Sequence, residues 1–175
     1  GLADHITASS TDSAVPMQIQ HTELTVQRIK SSRLVSSTDN FRHVALARFK
    51  TMVLLDLDCT RLGQSLRSFA GTLCSDSELS QVFMDVFSPK ATGTILKRCN
   101  ALWRFSCWIQ TRGGGSPFRQ DERVVYSYIC YLRDSGAGST TPSQFVEALR
   151  FADALIGFIA SPLNDILSPR VTDRK

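Results

Sequence analysis

The chain has 175 residues, enough for one domain, and 42% of them are hydrophobic, enough for a packed core. No apolar run approaches the ~18 residues of a membrane span, so we expect no membrane partner. The formal charge of +4 and a pI near 9.0 favour an anionic partner without identifying it.

Residues 1–38 form the first segment along the chain, and we predict that it is disordered or a linker. Ser, Thr, Ala and Gln dominate 1–22, without sustained periodicity. Basic residues stand among Ser and Val in 23–38, where the pattern leaves a short helix and a basic linker both open. We place a helical bundle at 39–168 and, at 169–175, a linker to a further C-terminal domain.

Three short amphipathic helices are predicted in the first half of the bundle. Asp39 or Asn40 would cap the first, which runs to about Leu55 with Phe41 and Val44 among its buried residues. Thr60 would cap the second, whose apolar stripe is Leu62, Leu66, Phe69, Ala70 and Leu73. The third would begin at Ser75 or Asp76 and end at Ser88-Pro89, because the residue before proline avoids the helical region.

Three longer helices are predicted in the second half. The first of them would begin near Thr92 or Thr94 and run to Arg112, with Ile95, Cys99, Leu102, Ser106 and Ile109 as its inward stripe, widened by Leu96, Trp103 and Cys107. The second of them would begin at Asp121-Glu122, because negative charge is favourable at the start of a helix. Thr141 would cap the last helix, with Gln144 completing a capping box, and Gly157 or Pro162 would end it. One more turn is expected at 164–167, and the fold class is all-α, with about five to six helices in an orthogonal bundle.

The basic residues are concentrated in one window. Between Val86 and Gln120 there is no acidic residue, whereas Lys90, Lys97, Arg98, Arg104, Arg112 and Arg119 all lie there. Because the whole chain carries +4, removing these six charges leaves −2 for the rest. The window coincides with the strongest helix, so its charge should be held on a rigid rod that suits a polyanion.

Helical spacing arranges part of that charge. Lys97 and Arg104 are seven residues apart and share one face, while Arg98 lies about 100° from Lys97 on the flank of the apolar stripe. Thr92 and Thr94 put hydroxyls beside the free N–H groups of the first turn, a site that suits a phosphate oxygen. These features favour contact with a DNA backbone.

The window also carries a family resemblance. Residues 91–108, ATGTILKRCNALWRFSCW, resemble the helix B pattern of tyrosine recombinases: a Thr, often with Lys or Arg behind it, opens a helix that ends in a Leu-x-x-Phe-x-x-Trp-like run. The segments that follow this helix also resemble the family in their order. They are a Gly-rich turn, then residues 124–132, and then residues 141–151. The resemblance covers 86–168 and implies the N-terminal, SAM-like core-binding domain of a phage-integrase-type recombinase of a mobile element.

The resemblance implies a bundle that clamps duplex DNA, while a separate domain performs recombination or integration with an Arg, a Lys, a His-x-x-Arg pair and a Tyr. None of the three histidines of this chain is followed by Arg three residues later, so we expect no enzyme activity here. The residues implied to face DNA are Lys90, Thr92, Thr94, Lys97, Arg98, Arg104 and Arg150. Partners would be double-stranded DNA and neighbouring recombinase subunits, with no small-molecule substrate.

The five cysteines, Cys59, Cys74, Cys99, Cys107 and Cys130, are scattered without a C-x-x-C pair or a histidine at ligand spacing. They predict buried or idle thiols in a reducing compartment and no metal or other cofactor. With no signal peptide, we expect an intracellular protein, nuclear if its source is eukaryotic. The first residue is Gly and no element closes the chain at Lys175, which suggests a fragment.

Other functions have weaker support in the sequence. The main alternative is a helical protein–protein interaction module, because apolar stripes on short helices commonly mediate assembly. Asp56 and Asp58 form a D-x-D, but the end of a helix is an unfavourable place for a metal site. Trp103 and Trp108 could stack on single-stranded bases or pack in the core.

Overall fold

The computed structural model describes residues 37–69 and 75–162. The chain divides into two units after Asn40, and of the first unit only 37–40 are described, as helix. The other described residues, 41–69 and 75–162, belong to the second unit. Several expectations lie outside the described residues: the state of 1–36, the positions of Ala70, Leu73 and Cys74, the turn at 164–167 and the linker at 169–175.

The described residues contain six α-helices, one short 3-10 helix and no strand, so the predicted all-α class is confirmed. Helix α1 covers 37–54. The others are α2 (Arg61–Phe69), α3 (Asp76–Phe87), α4 (Thr92–Gln110), α5 (Glu122–Asp134) and α6 (Thr141–Ile156), with the 3-10 helix at Leu57–Cys59.

The predicted caps account for three of the six helix starts, those of α2, α3 and α5. The Thr60 hydroxyl accepts a hydrogen bond from the Gly63 N–H at 2.9 Å, and Ser75 forms a full capping box with Glu78. The Asp121 carboxylate accepts from the Val124 N–H at 2.9 Å. Each side chain satisfies an N–H that the first helical turn leaves without a partner, so these starts are fixed locally.

Two predicted starts are wrong. Helix α1 is already helical at 37, so neither Asp39 nor Asn40 is its cap. At α6 the cap is Thr140 rather than Thr141, and its hydroxyl accepts from the Gln144 side-chain amide at 3.3 Å instead of from the backbone. Thr141 becomes the first helical residue and Pro142 still lies in the first turn, where its missing N–H has no cost.

The core centres on α4, which packs mainly against α6. The α4 side chains that face inward are Ile95, Cys99, Leu102, Phe105, Ser106 and Ile109, which confirms the predicted stripe and adds Phe105. The α6 side chains opposite are Phe145, Ala148, Leu149, Ala152 and Ile156. The Phe105 ring lies 4.8 Å from that of Phe145 and 4.9 Å from that of Tyr128, centroid to centroid, so α5 joins the same core.

The predicted stripes fail at their edges. Phe41 and Val44 of α1, Phe69 of α2 and Cys107 of α4 were expected inside, and all are exposed. Val44 stands next to buried Ala45, and Cys107 next to buried Ser106, so each helix is packed at these positions. The helical period identifies an apolar stripe but not how much of its width the neighbouring elements cover.

The chain segment after α6 closes the bundle against the start of α2. Gly157 takes φ +67° at the end of α6, a left-handed conformation that glycine adopts without steric cost. Its carbonyl accepts from the Arg61 N–H at 2.7 Å, and the Ile159 N–H donates to the Cys59 carbonyl at 3.0 Å. These bonds tie the chain after α6 to the corner between the 3-10 helix and α2.

That corner should depend on Gly63. A Cβ atom there would lie 2.3 Å from the Leu57 carbonyl oxygen and 2.8 Å from the Leu57 Cα, both of which are backbone atoms that cannot swing away. We expect Gly63→Ala to lower the free energy of unfolding by about 1–3 kcal/mol, the usual cost of an overpacked site. Urea denaturation measures this quantity.

The control is Gly93→Ala in α4, where a Cβ would meet no atom within 4 Å. Alanine there should raise the free energy of unfolding by about 0.5–1 kcal/mol, because it restricts the unfolded chain and favours helix. Equal effects of the two substitutions would contradict the close approach at Gly63.

Two buried groups that lose a proton at alkaline pH should make the free energy of unfolding depend on pH in that range. Burial raises the pKa of the Cys99 thiol from 9.0 to about 11 and that of the Tyr128 hydroxyl from 10.0 to about 12. The unfolded chain therefore releases these protons first, and the free energy of unfolding should fall as pH rises from about 9 to 12. Urea titrations across that range measure the fall.

Substitution separates the two groups. Cys99→Ala should remove the part of the decline between about pH 9 and 11, and Tyr128→Phe the part between about 10 and 12. The shape of the profile is the readout, because either variant can also lower stability at every pH through altered packing. An unchanged profile in both variants would rule out these groups as its origin.

Candidate nucleic-acid interface

Burial of one face of α4 leaves the opposite face in solvent. The exposed residues along that face are Gly93, Lys97, Asn100, Arg104, Cys107 and Thr111. They recur at spacings of three and four residues, as one continuous helical surface does. We call this set the exposed α4 face. It contains two cations and no acidic residue.

Lys97 and Arg104 are the centre of this face. They are two helical turns apart, which separates their Cα atoms by about 10 Å along the axis. Both are exposed, and within the described parts of the chain neither forms an ion pair. Their charge is therefore directed to solvent, which agrees with their predicted orientation.

The N-terminal end of α4 brings three further predicted residues together. Ala91 precedes the helix and supplies no side-chain cap, so the first N–H groups of α4 keep their positive partial charge. Lys90 and Thr94 are exposed beside them. The Thr92 hydroxyl instead accepts a hydrogen bond from Arg42 Nη1 at 3.1 Å. Its own O–H is still available to donate to a phosphate oxygen.

Arg42 holds this end of α4 in place through contacts 45 to 50 residues away in sequence, which no local pattern marks. One guanidinium donates to the carbonyl oxygens of Phe87 and Lys90, both at 3.0 Å, as well as to Thr92. It thereby satisfies carbonyls at the end of α3 and connects them to the start of α4. Its charge also adds to the positive potential at this end.

Arg98 has a different environment from Lys97. Its Nη1 lies 2.7 Å from Glu147 Oε2 on α6, and its side chain is only 20% exposed. The contact is an ion pair between α4 and α6. Arg150, one turn beyond Glu147, is exposed. The pair neutralises Arg98 and fastens α4 to α6.

Each tryptophan of the chain is half-buried on α4 and covered by an arginine. The Arg48 guanidinium carbon lies 5.2 Å from the Trp103 ring centroid, and that of Arg112 lies 4.2 Å from the Trp108 centroid. Arg48 Nη1 also donates to Asn100 Oδ1 at 3.3 Å. These distances are those of cation–π contacts.

Arg48 was not identified from the sequence, because it belongs to α1 and lies 52 residues from Asn100. No local pattern marks such a contact. Arg112 was in the basic window, but nothing in the sequence shows that its side chain folds back over Trp108.

Other candidate sites have structural roles in the folded chain. Asp56 accepts from the Asp58 N–H and pairs with Arg119 at 2.8 Å, while Asp58 pairs with Arg67 at 2.9 Å. Among the described residues no group of three or more His, Cys, Asp or Glu side chains is arranged to hold a metal ion. None of the helices in 37–69 and 75–162 has the length and apolar composition for crossing a membrane.

The Arg98–Glu147 contact can be tested by a double-mutant cycle. Because Arg98 is largely shielded from solvent, we expect Arg98→Gln and Glu147→Gln to show a coupling of about 0.5–1 kcal/mol in the free energy of unfolding. The Arg67–Asp58 pair, with side chains 60% and 49% exposed, is the matched control and should show a smaller coupling. Equal couplings would mean that partial burial adds nothing.

No protein-family model, curated protein or solved structure matches this chain. The resemblance to tyrosine recombinases therefore stays a prediction that rests on residues 91–108, 124–132 and 141–151.

Proposed function

We propose that this helical domain binds duplex DNA through the exposed α4 face, mainly by contacts to the phosphate backbone. The observation that carries the proposal is the pair Lys97 and Arg104, which project from a rigid helix and are not neutralised by any described carboxylate. DNA presents a dense line of negative charge, and phosphate contacts supply much of the affinity of such proteins.

The surroundings of these two residues support the proposal. The acid-free window extends from Val86 to Gln120, so no carboxylate on α4 repels a phosphate. Lys90, Thr92 and Thr94 lie at the positive end of the same helix, where an anion is favoured. Arg150 on α6 is an additional exposed cation. We leave Arg98 out of the contact surface because Glu147 already pairs with it.

We further propose that the domain is the SAM-like core-binding part of a tyrosine-recombinase-like protein. It would hold DNA in recombination or integration, while a separate domain carries the catalytic residues. The resemblance of residues 91–108 to the family's helix B is the support for this finer assignment. The helix that bears it is also the helix that presents the basic face.

Salt dependence of duplex binding tests the proposal. Each phosphate contact releases counterions, so log Kobs should fall with log salt concentration, with a slope of about −0.9 per contact. Lys97→Gln and Arg104→Gln should each reduce that slope by about 0.9. Fluorescence anisotropy of a labelled duplex at several salt concentrations gives the slope.

Arg123→Gln is the matched control, because Arg123 is exposed on α5 and has no ion pair among the described residues. It removes the same charge from the molecule at a different place, so its slope should stay near that of the original chain. An equal reduction of the slope in all three variants would indicate that binding responds to the net charge of the molecule. The absence of duplex binding at low salt would refute the proposal.

A second candidate function has its own observation. Phe41 and Val44 of α1 are 55% and 45% exposed, Leu55 directly after that helix is 48% exposed, and their spacing puts all three on one side. We call these three residues the α1 apolar stripe. It favours a protein–protein interaction module, since exposed apolar patches mark interaction sites.

Sedimentation with and without duplex separates the two functions. The second function would be favoured by a stable oligomer that has no affinity for DNA. The double variant Val44→Ser, Leu55→Ser should then be monomeric. Monomers that bind duplex would favour the first.

A further inference from the structure

We propose that Arg48 and Arg112 are two additional phosphate-binding residues, and that Trp103 and Trp108 are the positioning residues that hold them. This inference rests on the proposed DNA binding and names groups of the same site. The observation that carries it is the pair of cation–π contacts on α4, at 5.2 Å for Arg48 and 4.2 Å for Arg112.

The two arginines flank the exposed α4 face. On the helix, Trp103 lies about 100° to one side of Arg104 and Trp108 about 40° to the other. The guanidinium groups therefore lie on either side of the line from Lys97 to Arg104. A DNA backbone that follows the line from Lys97 to Arg104 would meet these two cations along the line and one further cation on each side of it.

Both guanidinium groups keep donors for an anion. Within the part of the chain that the structure describes, neither Arg48 nor Arg112 forms an ion pair. Arg48 uses one N–H for Asn100 Oδ1. Asp134 borders the same open groove as Arg112 but is not within ion-pair distance of it. Because a guanidinium has five N–H donors, several remain for phosphate oxygens.

The tryptophan rings would reduce the cost of binding. A free arginine loses side-chain entropy when it is fixed on a phosphate, whereas one already stacked on an indole has less to lose. The same stacking covers a face of each ring, so the rings are poorly placed to stack on nucleotide bases. The site should therefore prefer a duplex backbone to unpaired bases.

The test compares charge variants with ring variants. Arg48→Gln and Arg112→Gln should each reduce the slope of log Kobs against log salt by about 0.9, since each removes a phosphate contact. Trp103→Leu and Trp108→Leu should lower duplex affinity by about two- to fivefold, the factor that corresponds to a surface cation–π contact. The ring variants should leave the slope unchanged, because no charge is lost.

Conservative variants guard against a loss of folding. Trp103→Tyr and Trp108→Tyr keep an aromatic face for the arginine and should recover most of the affinity. Arg123→Gln again controls for net charge.

The outcomes are distinguishable. Reduced slopes for the arginine variants with rescue by tyrosine support the inference. Duplex binding by the original chain with unchanged slopes in both arginine variants would overturn it and leave the proposed function standing. Loss of single-strand binding in the ring variants alone would also overturn it, because the indoles would then stack on bases. No duplex binding by the original chain would refute the proposed function and this inference together.

Discussion

One complete face of α4 is buried against the rest of the bundle, and the direction of every charged side chain on that helix depends on this packing. Five of its six inward residues are apolar or a thiol, and burial of each large apolar side chain contributes about 1.5–3 kcal/mol. A surface ion pair contributes about 0–1 kcal/mol. The apolar contacts therefore decide the rotation of α4, and Lys97 and Arg104 are exposed as a consequence.

Polar contacts then fix the ends and flanks of the helix. Arg42 connects the end of α3 to the start of α4, and Arg98 connects α4 to Glu147 of α6. On α1, Arg48 bonds to Asn100, and the buried Cys99 thiol donates to the Ala45 carbonyl at 3.4 Å. Three chemically identical arginine side chains thus have different roles, which depend on whether a carbonyl, a carboxylate or an indole lies within reach.

Much of the fold is set by local chemistry and could be predicted. Thr60, Ser75 and Asp121 cap their helices because a short polar side chain beside a free N–H needs no tertiary contact to form its bond. The inward stripe of α4 can likewise be derived from helical period alone. By contrast, Phe41 and Val44 were placed inside and are exposed, because the sequence contains their period but not the extent of the neighbouring surface.

The candidate site was predictable only in part, for the same physical reason. The outward direction of Lys97 and Arg104 is determined by the stripe opposite them. The pairing of Arg98 depends on α6, and the stacking of Arg48 depends on α1, about fifty residues away in sequence. Charge patterns along a helix therefore identify which cations are available, but the neighbouring helices decide which of them stay free.

The α1 apolar stripe and the exposed α4 face are not independent surfaces. Arg48 lies between Val44 and Leu55 in the sequence, with a helical spacing that puts it on the side of the stripe, and it also covers Trp103 of α4. A protein partner seated along the stripe would contact the same guanidinium that we assign to phosphate. Protein association and DNA binding would then share one side chain, so each should alter the affinity of the other.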